Sequence, residues 1–138
     1  MPSKLPRCKV GRCKRIARTA GYCKTHATKK ADKIFAAKVR SSGRCIGQTK
    51  YWVGATFPCA GALQCCHLFS RRYRNIRWDY LNAVPGCAAH HLYMDTHPIE
   101  KDDLMLDLLE HKYQELHDEA LDDTIDWHER LWEALDDR

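Results

Sequence analysis

His67, Asn82 and His91 stand in one short window, fifteen and then nine residues apart. Their types suit hydrolysis of a phosphodiester. Histidine titrates near neutral pH, so His67 can take a proton from an attacking water. A divalent ion on His91 can neutralise charge building on phosphate and leaving oxygen. The Asn82 amide can fix the imidazole or its strand in place. The bland alternative is a zinc-stapled scaffold in which both histidines only pack. His97 is a further metal-ligand candidate, reaching the site only if the helix ends before it; otherwise it caps a helix or lies on the surface. Cys66, just before His67, is a poor ligand for a hard Mg²⁺ ion. His111, His117 and His128 read as surface or packing residues.

Eight cysteines in 138 residues raise the question of staples. Without a secretion signal, metal binding is the better reading than disulfides. Cys8, Cys13, Cys23 and His26 offer three thiolates and one imidazole within nineteen residues, a set that suits tetrahedral zinc. Cys87 and His90 form a second half-site, which Cys45 and Cys59 complete best. Cys65 and Cys66 are adjacent, so a strand would turn them to opposite faces. Two structural zinc ions are therefore expected, beside a catalytic Mg²⁺ or Mn²⁺.

These residues need elements to carry them. The spacing predicts a helix over 29–41, with Ile34, Phe35 and Val39 near one face, stopped at Gly43. Residues 44–66, with Trp52, Val53, Gly54, Phe57, Pro58 and Gly61, read as short strands and turns, Cys45 and Cys59 flanking a hairpin loop. A hairpin follows, with strands over 62–69 and 81–86, a basic aromatic loop between them, and a turn at Pro85-Gly86. Residues 87–96 should form a short helix. Pro98 suits the first turn of another, whose Met105, Leu109, Tyr113, Leu116 and Ala120 share a face. After a break near 122–124, Ile125, His128, Leu131, Trp132 and Leu135 line one side of a last helix.

Charge divides the chain. Residues 1–98 hold 19 Lys/Arg against 3 Asp/Glu, a balance of +16, while residues 99–138 hold 4 against 15, a balance of −11. A body this basic expects a polyanion such as DNA. Arg71, Arg72, Arg74 and Arg77, interleaved with Tyr73 and Trp78, would meet phosphate beside the cut, and Arg12, Lys14 and Arg15 would grip it elsewhere. The acidic tail could pack on the body, pair two copies, restrain the basic surface or bind a basic protein. No apolar run reaches membrane length and the N-terminus has no signal core, so a cytoplasmic location is expected.

The segments Gln64-Cys65-Cys66-His67, Ser70-Arg71-Arg72, Arg77-Trp78-Asp79, Asn82-Ala83, Cys87-x2-His90-His91 and His97-Pro98 resemble the HNH endonucleases, the zinc-binding, phage-type members above all. The resemblance covers roughly residues 44–100. It implies a ββα-metal core, His67 as general base, Asn82 as its positioner and His91 as metal ligand. It further implies DNA cleavage to 5′-phosphate and 3′-hydroxyl ends in phage-related DNA processing, in the host cytoplasm. Cys66 departs from the Asp or His common before the base, and His90 from the second cysteine of the zinc pair.

The expected fold is α+β: a zinc module at 1–28, a connecting helix at 29–43, a nuclease core at 44–98 and an acidic helical tail at 99–138. Two rivals remain open. One is a zinc-containing DNA-binding module without catalysis, and the other a branched-DNA (Holliday junction) resolvase.

Overall fold

The computed structural model describes residues 5–49, 51–52 and 57–136. It is a small α+β fold of five helices and one two-stranded sheet among the described residues. Strands β1 (Leu63–His67) and β2 (Ala83–Cys87) run antiparallel, with Leu63 opposite Cys87 and His67 opposite Ala83. Helix α1 (Lys24–Ser41) precedes the sheet. Helix α2 (Ala88–Thr96) continues directly from β2. Three more follow: α3 (Pro98–Leu109), α4 (Lys112–Leu121) and α5 (Trp127–Asp136).

The sheet separates two cores because alternate side chains point to opposite faces. On one face Cys66 and Val84 join Ile76, Met94, Leu104, Met105, Leu109 and Leu116. On the other, Ala83 meets Ala27, Ala31, Phe35 and Val39 of α1, and Leu131 and Ala134 of α5. The four α1 residues recur every fourth position, one stripe along the helix. Alanine at 27 and 31 lets another element approach closely, and α5 packs there.

Several expectations change. α1 begins at Lys24, five residues early, because Cys23 stands at its N-cap inside the first Cys/His cluster. Pro85-Gly86 is not a turn; both lie within β2, opposite Cys65 and Gln64. Gly86 is needed for packing there, since a Cβ would come within 2.7 Å of Cys66 Sγ. Between 44 and 62 the described residues form a 3₁₀ turn at Ile46–Gln48 and no strand, so the expected hairpin about Cys45 and Cys59 is absent among them; Val53 and Gly54 lie outside the described residues. The apolar stripe from Met105 to Ala120 belongs to two helices, broken where Glu110 takes a left-handed backbone (φ 52°). Trp132 is half exposed, while Leu131 and Ala134 make the buried face of α5.

The acidic helices dock on the body rather than trail from it. Asn75, in the loop between the strands, donates from Nδ2 to the carbonyls of Glu119 (2.9 Å) and Asp122 (2.8 Å), closing the C-terminal end of α4. No helix is long and apolar enough to cross a membrane among the described residues.

Candidate metal clusters and active cleft

The two Cys/His clusters share one local construction. Cys23 and Cys87 each occupy a helix N-cap in extended backbone, φ −67° and −65°. A histidine three residues on then lies in the first turn. Its Nδ1 stands 3.2 Å from Cys23 Sγ in the first cluster and 2.9 Å from Cys87 Sγ in the second. Cys8 Sγ lies 3.3 Å from His26 Nδ1, and Cys13 Sγ 3.9 Å from Cys23 Sγ. Cys45 and Cys59 stand 3.5 and 3.7 Å from His90 Nδ1. All four donor atoms of each set lie within 4.8 Å of one another. Ligands about 2.0–2.3 Å from one zinc have edges of this size. Three thiols and an imidazole fit zinc in both sets, with the membership expected from the sequence.

The electrostatics agree with that donor chemistry. The His26 backbone N–H, above all, draws the Cys23 thiol down to about 6. Burial works against ionisation of Cys87, but the His90 backbone N–H and ring hold it at about 6 as well. Burial and the neighbouring Cys45 push Cys59 up to about 11. A divalent cation is what allows several crowded thiols to ionise together. The His90 ring is packed from several sides: Phe57 stacks on it at 4.4 Å, and Trp52 meets it edge-on at 5.4 Å. Its buried Nε2 has no hydrogen-bond partner, and a Cβ on Gly47 would fall 2.3 Å from it. Cys65 and Cys66 belong to neither cluster. Cys66 is fully buried, and burial pushes its thiol up to about 12.

A cleft of about 670 Å³ opens over β1, α1 and α2. His67, at the end of β1, and His91, on the first turn of α2, both line it. His67 Nε2 lies 2.8 Å from the carbonyl of Arg77. A carbonyl only accepts, so Nε2 carries the hydrogen and Nδ1 keeps the lone pair. Burial lowers the pKa of His67 and so favours the neutral ring.

His91 is held in the reverse sense. Its Nδ1 stands 2.6 Å from Gln64 Oε1, and its Nε2 faces Asp95 Oδ2 at 3.5 Å. With Nδ1–H donated to the amide oxygen, Nε2 and the carboxylate present lone pairs to each other. A proton or a metal ion between them satisfies both. Asp95 is the residue the sequence reading missed. It follows His91 by four residues, the spacing that stacks side chains on one helix face, and that signal would have found it. Arg40 of α1 and Lys101 of α3 also line the cleft and were likewise missed.

No hydrogen bond joins the side chains of Asn82 and His67 among the described residues. Asn82 is fully buried at the end of a 3₁₀ turn (Tyr80–Asn82) and brackets the loop between the strands. Its Oδ1 accepts from Phe69 N (2.6 Å), and its Nδ2 donates to the carbonyls of Phe69 and Ile76 (3.2 Å each). It thereby positions the strand that ends at His67.

His97 is corrected as a ligand. α2 runs through Thr96, so His97 lies roughly 240° around the helix from His91. Its ring stacks on Tyr93, with Nδ1 2.9 Å from the Tyr93 carbonyl, so it closes the helix end instead.

Arg77 is corrected as a phosphate contact. Its Nε and Nη2 donate to both oxygens of Asp32 (2.9 and 2.6 Å), and Trp78 Nε1 joins them at 2.9 Å. Of the other basic residues, Arg71 lines the cleft, Arg72 lies over Tyr73 and Arg74 over Trp127. Arg12 and Lys14 are exposed about the start of α1, and Arg15 donates to Thr25 Oγ1 at 2.6 Å. No family model, curated protein or solved structure matches this chain.

Proposed function

We propose that this protein is a metal-dependent DNA endonuclease of HNH type. One observation carries the reading: a neutral histidine with its Nδ1 lone pair free and a His–Asp pair facing lone pair to lone pair line one cationic cleft. His67 takes the proton from a water that attacks phosphorus, and the Arg77 carbonyl holds the ring in the tautomer this requires. His91 and Asp95 fit a hard divalent ion such as Mg²⁺ or Mn²⁺, an imidazole and a carboxylate being suitable ligands. Bound there, such an ion would supply positive charge to the phosphate and the leaving oxygen. Arg40, Arg71 and Lys101 attract the phosphate, and Asn82 keeps the loop rigid behind the base. Zinc in the two Cys/His clusters holds the scaffold and takes no part in the chemistry. The basic module about Arg12, Lys14 and Arg15 adds sequence-independent grip on DNA.

The test is relaxation of supercoiled plasmid by zinc-loaded protein with added Mg²⁺ or Mn²⁺, beside His67→Ala and Asp95→Asn. Wild type should nick only when the metal is added. His67→Ala should be silent while retaining its fold and zinc. Folded, zinc-loaded wild type that binds DNA but cuts with neither metal would leave the non-catalytic zinc module as the reading.

A further inference from the structure

Beyond the cleft, a second cavity of about 320 Å³ lies between the first turns of α1, the loop joining the strands, and Trp127 of α5. Asp32 lines both cavities, so its bridge to Arg77 forms the wall between them. The second cavity is rich in cations: Lys24, Lys29 and Arg74, besides Arg77. The one carboxylate in its lining, Asp32, is already satisfied by Arg77 and Trp78.

The three remaining cations make no ion pair among the described residues. Two of them rest on an aromatic ring instead. Lys24 Nζ lies 4.9 Å and Arg74 Cζ 4.5 Å from the Trp127 ring centroid. A ring quadrupole holds a cation without neutralising it, so both remain available to an anion. Trp78 supplies a second indole wall. A phosphate alone would need only the cations. Two indole walls in a cavity of this size suit an anion that carries a flat ring.

We infer that this cavity seats one unpaired nucleotide of the strand being cut, so that the preferred substrate is DNA with a single-stranded segment beside the scissile bond. The base takes the place of Lys24 or Arg74 against Trp127, and the displaced cation turns to the phosphate with Lys29. A base held in a duplex is stacked and paired and does not enter such a site. The strand passes from the His67 cleft over the Asp32–Arg77 bridge to reach it. The inference rests on the nuclease reading for the direction of the strand, but binding alone tests it.

The experiment measures binding of full-length zinc-loaded His67→Ala, without added Mg²⁺, to two fluorescent probes. One is a duplex, the other the same duplex with a short unpaired stretch. The gapped probe should bind about tenfold more tightly, the scale of one base–aromatic stack. Trp127→Leu should remove that preference and leave duplex affinity within about twofold. Lys29→Ala, an exposed change that spares the fold, should weaken the gapped probe alone and lower its salt dependence by about one phosphate contact. Equal binding of both probes, or equal losses on both in either variant, would overturn the inference and leave a general basic surface. Plasmid nicking by wild type beside equal probe binding would sink this inference while sparing the nuclease. Preference for the gapped probe in a protein that never cuts would do the reverse.

Discussion

Asp32 lies outside the ββα segment, yet on the mechanism proposed above its removal should slow cleavage markedly. Its two oxygens accept three hydrogen bonds, from Arg77 Nε, Arg77 Nη2 and Trp78 Nε1. Asparagine keeps one acceptor and turns an N–H₂ toward donors that want none. A hydrogen bond to a charged group contributes about 1.5–3 kcal/mol. The two side chains are 26% and 18% exposed, so water screens part of this. The net loss of stability should be about 2 kcal/mol.

Catalysis should lose more. The bridge anchors residue 77, whose carbonyl holds His67 Nε2, and a shift of about 1 Å in a reacting group costs about 10²-fold in rate. Asp32→Asn should therefore nick plasmid about 10²-fold more slowly, with both zinc ions retained, while urea unfolding reports the modest stability loss. Leu131→Ala provides the control, since it leaves a cavity in the core between α1 and α5 and should cost 2–5 kcal/mol, as given by large-to-small substitutions, with little change in rate. Nicking by Asp32→Asn within about twofold of wild type, at the expected stability loss, would refute the positioning argument.

Three further outcomes follow from the geometry of the cleft and of the second cluster. Burial holds the His67 pKa below its ordinary 6.5, so the nicking rate should rise with pH through a midpoint under that value and stay level to about pH 8; a midpoint above 7 would contradict it. The same depression gives stability that is present above the unfolded pKa and lost as pH falls through the folded one, so unfolding of His67→Gln should be less acid-sensitive than wild type over that window. Gly47→Ala should drive a methyl into the His90 ring, reduce the measured zinc from two ions per chain to one, and cost about 1–3 kcal/mol; two zinc ions at unchanged stability would show that the loop yields instead.

Much of the site could be read from residue types. Both Cys₃His sets were legible because zinc demands four such ligands and few groupings of eight cysteines supply them. The two strands and the helix after them were legible in outline, from the hairpin read over 62–69 and 81–86 and from Cys87-x2-His90. What failed has physical causes. Pro85-Gly86 reads as a turn by composition, yet Gly86 is required by the bulk of Cys66 across the strand pair, which one strand's sequence does not display. Arg77 reads as a phosphate contact within a basic run, because its partner Asp32 is 45 residues away. The break at Glu110 carries no glycine to announce it.

His90 and His91 are neighbours on one turn of α2, the first directed into a thiol cluster and the second into the cleft. Consecutive helical residues point about 100° apart, and neither can rotate without turning the other. The grip on the first histidine therefore sets the aim of the second. An oxidant that attacks the thiols, or a chelator that strips the cluster, would disarm the cleft without entering it. On the nuclease reading proposed above, zinc supply during synthesis would then decide how much of the newly made chain is competent to cut.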